Sequence, residues 1–509
     1  DSEHLVAVCD GGVNETYDQG RTWQVHKGFS AAQFYDCTVD NSVPYNVIGG
    51  LQDNGTWVVP SQTRYRDGVT TYDCFKIYSG DGFGAQADPL EPHVVYATSQ
   101  NGNLGVVDTR TGMRARVERD RPEGGGRAKF NWDAPFILSP HNRLVLYHAG
   151  NYLFRGDRHS HLDNRSSRPG QGPTVNERGI RMTSISPRLG DTENGTACAL
   201  AESPIARGLI YIGTDDGALW RTEDGGAEWQ RVDQNLPLDD KLYVSDIVPS
   251  QHEADRVYVT IDGHRSDDFV THVFVSDDRG ATFYSMADTL PGNAVCHSFA
   301  EDPRNDQLLF LGTEHGVWTS LDRGYNWLRL ANGMPNVSVR ELVIQDRDSD
   351  LVAATHGRGI FVLDIEGLRQ LQERTIDRDA WLAKTQPAYL WQLRSRGFQG
   401  DKEFKAANPG YGATVHLWLR EKPDERPKLI IEDVTGEKVA EVRGEKVRGL
   451  QAIRWDARVD RDLADPGTYR VRLADDDDVE ARSIELRLDP ATRPRANSAA
   501  PTTNPGNNR

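Results

Sequence analysis

Turns rich in ionisable and amide side chains recur along this chain, each just after a short apolar run. They are Asp10-Gly11-Gly12, Gln52-Asp53-Asn54-Gly55, Gln100-Asn101, Asn151, Asp215-Asp216-Gly217, Asp262 with His264, Glu314-His315-Gly316 and His356-Gly357-Arg358. The segments Ser79-Gly80-Asp81-Gly82 and Asn131-Trp132-Asp133 have the same character. Two carboxylates flanking a glycosidic bond can cleave it by acid–base chemistry, and Asp53, Asp81, Asp215 and Glu314 are the candidates for such a pair. A ring of carboxylates, amides, imidazoles and an exposed Trp can instead hold a sugar or a peptide. Asp10, Gln52, Asn54, Trp132, Asn151, Asp216, His315, His356 and Arg358 are the candidate binding residues. Asp-Gly and Asn-Gly are also ordinary turn chemistry, so only the set as a whole points to a site. Whether its members meet depends on the elements that carry them.

Those elements announce themselves in a second motif. Thr16 to Trp23 reads Thr-Tyr-Asp-Gln-Gly-Arg-Thr-Trp, and the pattern Ser/Thr-x-Asp-x-Gly-x-x-aromatic returns at Thr222–Trp229, Ser276–Phe283 and Ser320–Trp327. The Asp can accept backbone N–H bonds within a tight turn, and the Gly tolerates positive φ. These copies resemble Asp-box (BNR) repeats, and the chain is similar to the Asp-box β-propellers. That group takes in sialidases, xyloglucanases, the sortilin-type receptor propeller and bacterial proteins labelled glycosyl hydrolases. The resemblance implies an all-β propeller in which Asp18, Asp224, Asp278 and Asp322 are structural clasps turned away from any central site. A sialidase would also need an arginine cluster and an activated Tyr. No Arg-Ile-Pro segment stands near the first blade, and Arg358 is read as the only Arg in the turn set. Xyloglucanase-like cleavage would use two Asp across a cleft between two propellers, whereas this chain carries at most one.

The repeat reads strand A, turn, strand B, polar turn, strand C, Asp box, strand D, at the period of propeller blades. Eight cores follow in order: Leu5–Val8, Phe34–Tyr78, Asp81–Val107, Phe136–Phe154, Ile210–Trp220, Val244–Val275, Leu308–Trp318 and Arg340–Leu363. The first lacks strand A and the last lacks strand D. The expectation is a propeller of seven or eight four-stranded blades, N-terminally incomplete, with the first core belonging to a preceding propeller or completed by a missing N-terminal segment or a partner chain. In such a meander the polar B–C turns and the D–A links share one face, and the Asp boxes lie on the other.

After residue 365 the pattern changes. Residues 366–411 read as a helical and irregular linker, with Glu366–Glu373 and Arg378–Lys384 as its helices. Residues 412–490 regain alternation and resemble an Ig-like β-sandwich of bacterial secreted proteins. Residues 491–509, rich in Asn, Pro and Ala, are expected to be disordered. Asp475–Asp478 reads as a solvated turn rather than a calcium loop.

Composition agrees with many short strands: 37% hydrophobic residues, with 48 Gly and 25 Pro to supply turns. The net charge of −17 argues against nucleic acid and anionic membrane surfaces as partners. None of the five cysteines sits in a CxxC pair, so a zinc site is not expected; buried free thiols are, with Cys37 and Cys74 the pair to check. Arg155-Gly156-Asp157 reads as a relic clasp, and His159 with His161 as part of a polar insertion. No cofactor or metal is called for. The sequence thus favours an exported, non-catalytic propeller that binds a protein, a peptide or a surface glycan, with a glycoside hydrolase as the alternative.

Overall fold

The computed structural model describes residues 3–9, 12–26, 28–122, 126–157, 180–331, 333–397, 403–474 and 476–492. Asp10, His159, His161 and Asp475 lie outside these. The chain divides into two compact units, residues 1–377 with 395–408, and residues 378–394 with 409–509.

The first unit is a ring of seven blades. Their innermost strands are Phe34–Val39, Gly82–Ala87, Phe136–Ser139, Ala197–Glu202, Tyr243–Pro249, Cys296–Glu301 and Val339–Gln345, and each pairs antiparallel with the strand that follows it. Blades 1 to 6 have four strands; blade 7 ends on Ile360–Asp364 as its third. The second strands are almost continuously apolar, as in Val94–Ser99 and Ile210–Thr214, both wholly buried. A sheet covered on both faces demands that pattern, and here the neighbouring blades do the covering. Phe34, Cys37, Tyr45 and Val47 of blade 1 pack with Val352 and Ala354 of blade 7 in one apolar cluster, which closes the ring. The closure is reinforced by Tyr45 Oη donating to Asp350 (2.9 Å) and by the Gln345 side chain donating to the Asp40 carbonyl (2.8 Å). Blades 2 and 3 are also joined at their outer edges, where Arg114–Arg119 runs parallel to Ile180–Ser184.

Leu5–Cys9, Gly12–Thr16 and Gln24–Val25 form a separate three-stranded sheet that joins none of the ring's sheets. The ring therefore counts seven of the eight cores.

Each Ser/Thr-x-Asp-x-Gly turn has one geometry. The hydroxyls of Thr16, Thr222, Ser276 and Ser320 donate to Asp18, Asp224, Asp278 and Asp322 at 2.8 Å. They accept the N–H of Gly20, Gly226, Gly280 and Gly324 in turn. Each Asp accepts the N–H four residues on. In blades 4, 5 and 6 these turns join the third strand to the fourth, on the face opposite the second-to-third turns; the Asp18 turn joins the second and third strands of the separate sheet.

Blades approach closely. A Cβ on Gly50 would lie 2.2 Å from the Phe83 carbonyl oxygen in the next blade, against backbone that has no rotamer to change. Gly50→Ala is expected to lower stability by about 1–3 kcal/mol through overpacking. A thermal melt at or above that of the parent would show that the blades can part without cost.

The second unit is a two-sheet sandwich. One sheet holds Ala380–Leu382, Ala413–Leu419 and Gly449–Trp455; the other holds Ala388–Leu390, Lys428–Glu432, Lys438–Arg443, Gly467–Leu473 and Arg482–Leu488. Val415, Leu417, Ile453 and Trp455 pack against Leu429, Ile431, Val471 and Ile484. The intervening segment differs from the sequence expectation in two places. Arg378–Lys384 is not a helix: Ala380–Leu382 pairs with Leu417–Leu419, because three apolar residues gain more from a sheet than from one isolated helical turn. Residues 395–397 and 403–408 are not only a linker. They return to the first unit, where Lys405–Ala406 pairs with Val69–Thr70. Arg396 stacks over Tyr65 at 3.9 Å and is ion-paired to Asp73 at 2.7 Å.

Candidate functional site in the propeller channel

The innermost strands line the central channel, and their geometry is irregular in a repeated way. In six of the seven blades the innermost strand carries a β-bulge near its start. A bulge interrupts the alternation of faces and re-aims side chains. The residues left unpaired include Tyr35, Cys198, Ser245, His297 and Arg340, and all five line one cavity of about 300 Å³. The bulge also brings a successive side chain to the channel, so that Asp36, Asp246 and Glu341 line it beside Tyr35, Ser245 and Arg340. Asp133, from the link into blade 3, joins these three carboxylates, and Asp262 also lines the cavity, where it is paired at the rim.

Enclosure dominates their electrostatics. Burial pushes Asp133 up to about 6, against the pull of Arg340 and Arg265. Burial likewise raises Asp246 to about 6, although the N–H groups of Phe299 and Ile247 bond its carboxylate. Asp36 and Glu341 are raised well above the usual range, first by burial and then by neighbouring carboxylates. The surface these groups retain faces the channel.

At the rim the charges are matched instead. His297, almost wholly buried, lies 2.9 Å from Glu314 through Nε2 and 3.5 Å from Asp262 through Nδ1. The hydrogen bond from His297 holds Glu314 down at about 2. Asp262 is depressed despite its burial, by hydrogen bonds from His297 and His264. His356 is shifted down by burial and by Arg340, which places it in the same cluster. Arg265 lies over the Tyr243 ring at 4.8 Å. Arg265 sits in the turn after blade 5's second strand, so Arg358 is not the only arginine among these turns.

The turn residues singled out in the sequence divide. Gln52 meets the channel through Tyr35, whose Oη donates to it at 2.9 Å. Trp132 adjoins the lining residue Asp133 and is 50% exposed, its ring perpendicular to that of Phe83 with centroids 6.3 Å apart. Three other carboxylates, Asp81, Asp215 and Asp216, brace backbone. Asp81 accepts the N–H of Asp53 at 2.7 Å. Asp215 accepts the N–H of Thr196 at 2.9 Å and the Asn131 amide at 2.9 Å. Asp216 holds Thr192, Asn151 holds the backbone of Lys129 and Arg127, and Asn54 donates to the Gln52 carbonyl. Among the described residues, His315 and Arg358 bring no side-chain hydrogen bond to the network. Missing from the sequence reading were Tyr35, Asp36, Tyr243, Asp246, Arg265, His297, Arg340 and Glu341. A charged residue at the same early position of otherwise apolar innermost strands was the available signal.

All five cysteines are free, so Cys37 and Cys74 are not bonded to each other. Among the described residues no group of three or more His, Cys, Asp or Glu is arranged to hold a metal ion. No helix among them is long and apolar enough to cross a membrane.

No protein-family model matches the chain. The xyloglucanase Xgh74A of Acetivibrio thermocellus is 28% identical over 141 residues, 25% of this chain and 16% of that protein. A xyloglucanase of Paenibacillus sp is 26% identical over 140 residues, 25% of this chain and 14% of that one. The chain spans about a sixth of the length of the curated relatives it matches. Among solved structures, the β-propeller domain of Cps50 (Swd1) from Myceliophteria thermophila aligns with TM-score 0.43 at 10% identity, over 65% of this chain and 97% of that one. The extracellular domain of a hybrid two component system from B. thetaiotaomicron aligns with TM-score 0.48 at 12% identity, over 95% and 68%.

Proposed function

We propose that this protein is an exported glycan-binding propeller that holds its ligand at the channel mouth without cleaving it. The observation that carries the reading is the polar cavity of about 300 Å³, with the exposed Trp132 next in sequence to its lining residue Asp133. That volume lies at the lower end of small-ligand sites, and an aromatic face beside amides and carboxylates suits a sugar ring. The engagement of Asp81 and Asp215 by backbone, and of Glu314 by His297, supports binding over catalysis. Trp132→Ala is expected to weaken glycan binding about tenfold, roughly 1.4 kcal/mol, read by calorimetry against oligosaccharides that the parent retains on an array. Undiminished affinity would place the ligand elsewhere.

A second reading, glycoside hydrolysis, is favoured by the similarity to xyloglucanases. The raised Asp133 would suit a general acid. Release of shorter sugars by the parent, lost in Asp133→Asn, would establish it in place of the first.

A further inference from the structure

Among the described residues, Asp133, Asp246 and Glu341 of the channel have no cationic side chain bonded to them. Asp133 lines the cavity, and among the described residues its carboxylate accepts no hydrogen bond; only its backbone N–H is engaged, by Asn131. Glu341 accepts a hydrogen bond from the N–H of its own neighbour Leu342, at 3.2 Å. Asp246 accepts backbone N–H groups alone. Arg340 and Arg265 also line the cavity, Arg340 against His297 and Arg265 on Tyr243, and among the described residues neither bonds a channel carboxylate. Crowded carboxylates in an enclosed site avoid mutual repulsion by keeping protons, and an entering cation can take the place of those protons.

We infer that the group this cavity takes is a cation, the ammonium of an amino sugar. The inference rests on the glycan reading and narrows its ligand class. An ammonium offers three donors and no acceptor, the complement of a wall of carboxylate oxygens. Its bonds to ionised carboxylates would be of the stronger, charge-assisted kind. The sugar ring would lie against Trp132 while the ammonium points down the channel toward Asp133 and Glu341.

The test is calorimetry of the full chain with three tetrasaccharides at about pH 6: β-1,4-linked glucosamine, its N-acetylated counterpart and cellotetraose. The glucosamine tetramer is expected to bind roughly tenfold more tightly than either neutral probe, with a preference that shrinks at high salt. In Asp133→Asn and in Glu341→Gln that ratio is expected to fall toward one, with melts confirming that each variant is folded. Equal affinity for all three probes would overturn the cationic class and leave glycan binding standing. Binding of none would remove both. Retention of lysine-rich peptides in place of the sugars would keep the cation and overturn the glycan.

Discussion

Asp133→Asn raises the stability of the propeller at pH 7, by about 1–3 kcal/mol, and leaves it unchanged near pH 3. In the folded chain Asp133 holds its proton up to about 6, against an ordinary value of 3.8, and burial is the main cause. Between those values the unfolded chain has released the proton and the folded chain has not. The native state then binds more protons, so stability falls as pH rises through this window. The penalty is complete above about pH 6 and absent below the unfolded value. An amide of the same shape carries no charge and escapes it. Part of the full electrostatic value is discounted because the carboxylate retains some surface toward the channel. Urea unfolding of parent and variant at the two pH values measures the effect. A variant less stable at pH 7 would mean that the charge is compensated within the fold, and would remove the premise that the channel awaits a cation. Groups held at a cost to the fold are what a binding site is expected to contain.

Arg369→Ala acts in the opposite direction and by more. Arg369 follows the last blade, in the short helix Glu366–Arg369. Its Nε donates to Asp302 of blade 6 at 2.7 Å, and its Nη1 to Ser349 of blade 7 at 2.9 Å and to the Asp346 carbonyl at 3.1 Å. The Asn305 amide closes back on the Arg369 carbonyl at 2.9 Å. The two side chains are 4% and 0% exposed. Truncation leaves Asp302 charged and dry, a loss of about 3–5 kcal/mol. Replacing both partners, Arg369→Met with Asp302→Leu, is expected to recover only part of it: the desolvation of both charges is removed together, but the N–H groups of Arg304 and Asn305 lose their acceptor. A loss under about 1 kcal/mol in the single variant would mean that water reaches Asp302 once the guanidinium is gone.

The sequence and the structure part company where side-chain direction depends on long-range geometry. The Asp boxes are legible because each is a closed local circuit: Thr16, Asp18, Gly20 and Thr22 complete one another within seven residues. The second strands are legible because burial on both faces leaves an apolar run. Strict alternation fails for Tyr35 and Asp36, or Arg340 and Glu341, since it sends one of each pair away from the channel. The bulge that brings both to it is a property of pairing with the next strand. The mouth turns are legible as a set, yet their occupations are not. Nothing local distinguishes Asp215, which braces Thr196 and Asn131, from a carboxylate free to meet a ligand. Arg396 reaching Asp73 across 323 positions has no local signature.

Native mass spectrometry of the full chain with a panel of neutral and amino-sugar oligosaccharides would record bound ligand and its mass together. Binding without catalysis predicts one-to-one complexes that release sugars of unaltered mass, with the complexes depleted in Trp132→Ala. Shortened sugars accumulating with the parent protein would contradict it and make the channel mouth an active site.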